Sequence, residues 1–178
     1  TLGFAHHFTS SANNRTSVID YPHPNVEMQG DQISIANAYE VGIGDWDKVT
    51  VAYAYSDFPE GTDEKEALNA VIDQSAAAGH RFISDSDARP IGGAHPNAHL
   101  WDNGGVATDE LARLMKIRKQ ALGQLSLDHL REGEPYSTLE DRFVPMYLLH
   151  RYQVEAVVKL IGGVDYDYAV KGSQNYQV

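Results

Sequence analysis

STLEDRFVPMYLLHRYQVEAVVKLIGG, residues 137–163, is the stretch that sets the fold class. Ser137 and Glu140 stand at capping-box spacing, so a helix is expected to begin there. Phe143, Tyr147, Val154, Val157, Val158 and Ile161 then recur at helical spacing, which predicts one long helix with one apolar face turned to a core. Gly162-Gly163 supplies the stop, and Pro145 predicts a kink in the first turns or the true start. Upstream, Leu111, Leu114, Met115, Arg118, Ala121, Leu122 and Leu125 keep the same period from about Thr108, where Asp109 and Glu110 suit the positive end of a helix dipole. Earlier still, Asp63 and Glu66 repeat the capping-box spacing ahead of Leu68, Val71, Ile72 and Ser75, and Gly79 closes that helix. Residues 62–178 therefore read as three main helices. Arg81–Ser84 and Asp165–Lys171, where Tyr166, Tyr168 and Val170 alternate, are candidate short strands. The fold class is mainly α with a few short strands.

Residues 1–60 have a different texture, rich in Asn, Ser, Pro, His and Gly, with turns expected at Tyr21–Pro24 and Gly42–Gly44. One short helix is predicted there, capped by Asp45 and placing Trp46, Val49, Ala52 and Tyr53 on one face. The expected division is residues 1–60 and 61–178. A long loop, 85–105, separates two of the helices and is expected to be packed down, with Trp101 buried. Across 178 residues, 14 Lys and Arg face 25 Asp and Glu, a formal charge of -11 that argues against nucleic-acid binding and against docking on an anionic membrane. No apolar run is long enough for a spanning helix. The absence of cysteine excludes disulfides, a thiol nucleophile, iron–sulfur clusters and cysteine-ligated zinc. Phosphate-binding glycine loops and a nucleophile elbow are missing as well. The chain opens at Thr1 without an initiating Met and is expected to continue a longer protein.

Two phrases near the start carry chemistry. In Thr1-Leu2-Gly3-Phe4-Ala5-His6, Gly3 and His6 fit the end of H-E-x-x-H-x-x-G-x-x-H. In that pattern two His one helical turn apart bind zinc, the Glu activates water, and the glycine turns the chain so that a third His returns to the metal. Ser17-Val18-Ile19-Asp20-Tyr21 has the shape of the S-x-M-x-Y turn found beneath such zinc sites, with Ile19 in place of Met. Asp45 through Val49 and Tyr53 follows as a later helix phrase of roughly D-x-x-x-I-x-x-x-Y form. On these residues the chain resembles the C-terminal part of large bacterial zinc-dependent metalloproteases of the metzincin type, whose motif reads H-E-x-G-H-T-L-G-x-x-H-N-F. His7 stands where Asn is common, and the likeness continues through Asp87–Pro90, His99–Gly104, His150–Gln153 and Gly162-Gly163.

The resemblance implies that His6 is the third zinc ligand, with His7 the fallback or otherwise a surface or supporting His. It implies that Tyr21 is a catalytic group at the metal or oxyanion, and that Gly3 and Ile19 are structural beneath the site. It further implies zinc as cofactor, a peptide or protein substrate, the N-terminal remainder of the same protein as partner, and a periplasmic, outer-membrane-associated or secreted location. The function expected is a piece of a zinc metalloendopeptidase, inactive and weak in zinc binding when isolated. The rival is a noncatalytic helical interaction module derived from such a peptidase, which Ile19 and His7 would suit. Elsewhere, His95 and His99 are read as hydrogen-bonded loop residues, Asp85 and Asp87 as caps and turns, and His150 as a satisfied, half-buried side chain. Tyr166, Tyr168 and Tyr176 are read as edge packing.

Overall fold

The computed structural model describes residues 2–171. Six helices dominate them: α1 (Asp45–Tyr55), α2 (Glu64–Ala77), the single turn α3 (Asp85–Ala88), α4 (Ala107–Gln124), α5 (Thr138–Tyr147) and α6 (Arg151–Gly162). The architecture is mainly α, and α1 packs on α2 while α4 packs on both α5 and α6. A hairpin of β1 (Glu27–Gln29) and β2 (Gln32–Ser34) pairs Met28 with Ile33. Its two-residue turn needs the positive φ of Gly30. The Asp31 carbonyl accepts amide hydrogens from Gln120 and Gln124 of α4, which fixes the hairpin to the helix.

Several expectations are corrected. Residues 137–162 form two helices, not one. Pro145 sits inside α5, and the helix ends two residues later, where Arg118 of α4 donates to the Tyr147 carbonyl at 2.8 Å and lies over its ring. That carbonyl is thereby satisfied from outside, so the helix need not continue to satisfy it. Ser137 makes no side-chain cap. The buried side of α6 is Gln153 and Ala156, while Val154, Val158 and Ile161 face water. The reason is polar: Gln153 donates to the carbonyls of Asn103 and Ala107 and accepts from the Asn103 N–H, so it must face the loop.

Asp45 does not cap α1. Gly44 does, and its N–H donates to the Asp47 carboxylate at 2.6 Å. A Cβ at Gly44 would lie 1.9 Å from the Thr16 carbonyl oxygen, so only glycine allows α1 to seat there. Asp63 does cap α2, accepting from the Glu66 N–H. Neither Arg81–Ser84 nor 165–171 is a strand. The two segments are joined by side chains instead, with Arg81 on Asp165 and Asp167 and the Tyr168 hydroxyl accepting from the Ser84 N–H. Tyr176 lies outside the described residues. One apolar cluster is Phe8, Ile83, Ala88 and Ala98, flanked by Leu100 and Tyr166 and drawn mostly from irregular segments, and a second set of buried apolar residues, Leu114, Ile117 and Ala121 of α4 with Ala156 of α6, lies between the helices.

Candidate functional site

The chain reaches the site through Gly3, whose φ of +76° is a left-handed turn that no side chain crowds. Glycine is required there for its backbone freedom, not for space. Three residues later the His6 ring lies half-buried, stacked on Phe8 at 5.1 Å. Its Nδ1 is 2.6 Å from Asp85 Oδ2, and its Nε2 is 3.1 Å from the Tyr21 hydroxyl. Tyr21 is 47% exposed, so this edge of the imidazole opens toward solvent.

Tyr21 follows a turn over Ser17–Asp20 that is built from side chains. The Ser17 hydroxyl and the Val18 N–H both donate to Asp47 of α1, at 2.7 and 2.9 Å. The Ile19 carbonyl accepts from the His7 N–H at 3.1 Å, which sets the turn alongside His6. Asp47 therefore binds the turn and the start of α1 with one carboxylate. His7 is buried, not on the surface. It donates to the Arg81 carbonyl at 2.7 Å and stacks on Trp46 at 4.3 Å. Burial lowers its pKa to about 4, so it is neutral near pH 7.

The phrase His99–Gly104 works as a strap across the floor. The His99 N–H donates to the Phe8 carbonyl, and the Trp101 N–H donates to the Tyr21 carbonyl at 3.0 Å. Asp102 accepts from the Ser11 hydroxyl. Asn103 accepts two guanidinium hydrogens from Arg15 and donates to the His23 carbonyl. Because the backbone of Trp101 is the anchor, its indole is left 41% exposed against Tyr152, contrary to the expectation of burial. Asp20 and Asp102 are both buried carboxylates raised to about 7, chiefly by loss of solvent, and Asp102 raises Asp20 further. His95 and His99 are held by the backbone carbonyls of Tyr166 and Leu100, as loop residues. His150 is half-buried, but its Nδ1 finds no partner.

A zinc ion would find one ready ligand here. A ligating imidazole ordinarily has its second nitrogen held by a carboxylate or carbonyl, and Asp85 holds Nδ1 of His6 in that way. Among the described residues no three His, Cys, Asp or Glu side chains converge on one point, so the fit is to a corner of a site. The residue that reading by spacing missed is Asp85, whose role in the sequence looked like that of a helix cap. Two hollows flank the site. One of about 580 Å³ borders Tyr21, Val18, Tyr39, Ile43 and Trp101. The other, about 500 Å³ and apolar, lies between α1 and α2 behind Phe4 and Trp46.

No curated protein and no solved structure matches this chain. A family model described as Met-zincin matches residues 1–178, and the chain belongs to the Met-zincin family.

Proposed function

We propose that the chain is the part of a zinc-dependent metalloendopeptidase that carries the third zinc ligand and the floor of the active site. The observation that supports this most is the pair of contacts on His6, a carboxylate on Nδ1 and a phenol on an otherwise open Nε2. His6 would hold the metal through Nε2. Zinc, when bound, supplies Lewis acidity to the scissile carbonyl and a more acidic water.

The chain's own residues do the rest that can be assigned to it. Tyr21 donates a hydrogen bond to the oxyanion that develops on the substrate, from a position set by the Ser17–Asp20 turn and by Trp101. The hollow beside Tyr21 receives the peptide substrate. The general base and the other two ligands belong to an upstream H-E-x-x-H in the longer protein. Export to the bacterial envelope or beyond is part of the same proposal and rests on the family resemblance. No helix among the described residues is long and apolar enough to cross a membrane.

The second reading, a noncatalytic interaction module, draws on Ile19 in place of Met and on the apolar side of α6 left in water. Zinc titration and peptide-cleavage assays separate the two. The 178-residue chain alone is expected to show no cleavage and no submicromolar zinc binding, because one imidazole is too few ligands. The longer protein is expected to cleave, and its His6→Ala variant is expected to lose both zinc and activity. Retention of activity by that variant would remove His6 from the site.

A further inference from the structure

In the phrase Asp85-Ser86-Asp87-Ala88-Arg89-Pro90, the residues Asp85–Ala88 form the single turn α3. Asp85 lies 79 positions from His6, so only the tertiary fold brings the two together. The fold spends several contacts on doing so. Asp87, on the same turn, accepts from the Ser84 and Tyr168 hydroxyls, which ties α3 to the C-terminal segment. Arg89 lies 3.6 Å from the same Asp85 oxygen that meets His6. The other oxygen, Oδ1, is buried and without a hydrogen-bond partner. The side-chain hydrogen bonding of Asp85 is thus committed to His6.

We propose that Asp85 is the positioning residue of His6, fixing the imidazole as its Nδ1–H tautomer and leaving the lone pair on Nε2. An ionised carboxylate only accepts, so the nitrogen facing it must carry the hydrogen. The Tyr21 hydroxyl, 3.1 Å away on the opposite edge, fits this tautomer, because a hydroxyl can donate to a bare Nε2. Metal coordination needs that same bare nitrogen. For its purpose, though not for its chemistry, this assignment rests on His6 being a zinc ligand. Both side chains are partly exposed, at 28% and 37%, and such a surface pair contributes little to stability. Removal of Asp85 should therefore leave the fold intact and change the ring.

Long-range proton–nitrogen correlation of the His6 ring in the 178-residue chain, at about pH 8.5 where an ordinary histidine is neutral, reads the tautomer directly. The expected result is a protonated-type Nδ1 and a bare Nε2 in the wild type. In Asp85→Ala the balance should move toward the Nε2–H form, with Asp85→Glu restoring the wild-type pattern at least in part. In the longer protein, chelator competition should show zinc affinity falling about 10–100-fold in Asp85→Ala, with the melting temperature of the zinc-free protein unchanged. A wild-type ring in the Nε2–H form, a tautomer indifferent to Asp85, or zinc affinity unmoved by Asp85→Ala would each overturn the assignment. A tautomer set by Asp85 in a longer protein that binds no zinc would overturn the peptidase reading and leave the pairing standing.

Discussion

The segment His7–Ser11 is buried almost without a break although it contains neither α-helix nor strand, whereas α6 leaves Val154, Val158, Leu160 and Ile161 in water. The two regions solve the same problem from opposite directions. A helix satisfies its backbone internally and has to bury only a stripe. A buried irregular segment has to find a partner for each N–H and C=O from elsewhere: the His7 N–H donates to the Ile19 carbonyl and the Phe8 carbonyl accepts from the His99 N–H, and in the neighbouring loops polar side chains provide partners. Ser10 receives the Ser17 N–H, Asp47 receives those of Val18 and Gly44, and Gln153 brackets Asn103. The difference teaches where precision is kept in this molecule. His6, Tyr21 and Asp85 all stand on irregular backbone or a single helical turn, held by these tertiary bonds.

The contrast predicts unequal costs for removing apolar side chains. Phe8 is 0% exposed and touches the centre of the core, so Phe8→Ala should cost about 3–5 kcal/mol. Urea unfolding at fixed pH measures it. A cost below about 1 kcal/mol would show that the irregular region is loosely packed and would dissolve the comparison.

The polar interior makes the second test. The carboxyl of Asp102 is raised to about 7, mainly by burial, against an ordinary value near 4 in the unfolded chain. Between those values the folded protein holds the extra proton. Stability contributed by Asp102 is therefore present at low pH and is lost as pH rises from about 4 through about 7. Asp102→Asn removes that slope and also relieves Asp20, which the Asp102 charge raises. The variant should match the wild type near pH 4 and exceed it near pH 8 by on the order of 2–4 kcal/mol. His7, lowered to about 4, has the opposite sign, losing stability as pH falls below about 6.5, but it is common to both proteins and cancels in the difference. A pH-independent difference would mean that Asp102 is ionised in the fold.

These effects also explain what could be read in advance. Helices α2 and α4 announce themselves through caps and period, because local rules govern them. The break after Tyr147 could not be read, because it depends on Arg118, 29 positions away. The choice of inner face on α6 likewise escaped the apolar pattern, since a hydrogen-bonded Gln153 outranks Val154, Val158 and Ile161. The hairpin had a short signal in Gly30-Asp31, but three-residue strands barely register as alternation. Near the site, two phrases in the right order bring His6 and Tyr21 to mind together, and they do lie in contact. Asp85 and the strap at His99–Gly104 act through tertiary and backbone bonds that leave no spacing to recognise.

Within the helical region, the largest single local term should be a cap. Asp63 accepts from the Glu66 N–H at 3.1 Å at the start of α2. Asp63→Ala should cost about 1 kcal/mol. A midpoint unchanged in urea would show that α2 begins without it.

The smallest effect expected is on the apolar side of α6. Ile161 is 85% exposed and sits one residue before the end of the helix, so its side chain gains little by folding. Ile161→Ser removes apolar surface that is in water in both states and should change stability by no more than about 0.5 kcal/mol. The same substitution made together with Phe8→Ala should add without coupling, because the two residues share no contact in the core. Denaturant midpoints for the two single variants and the double variant, at two protein concentrations, provide the cycle. A loss above about 2 kcal/mol for Ile161→Ser, or one that shrinks on dilution, would mean that this face is covered in solution by another chain. In that event the outer face of α6 would be a second buried region, and the contrast between irregular interior and helical exterior would hold only for the single chain.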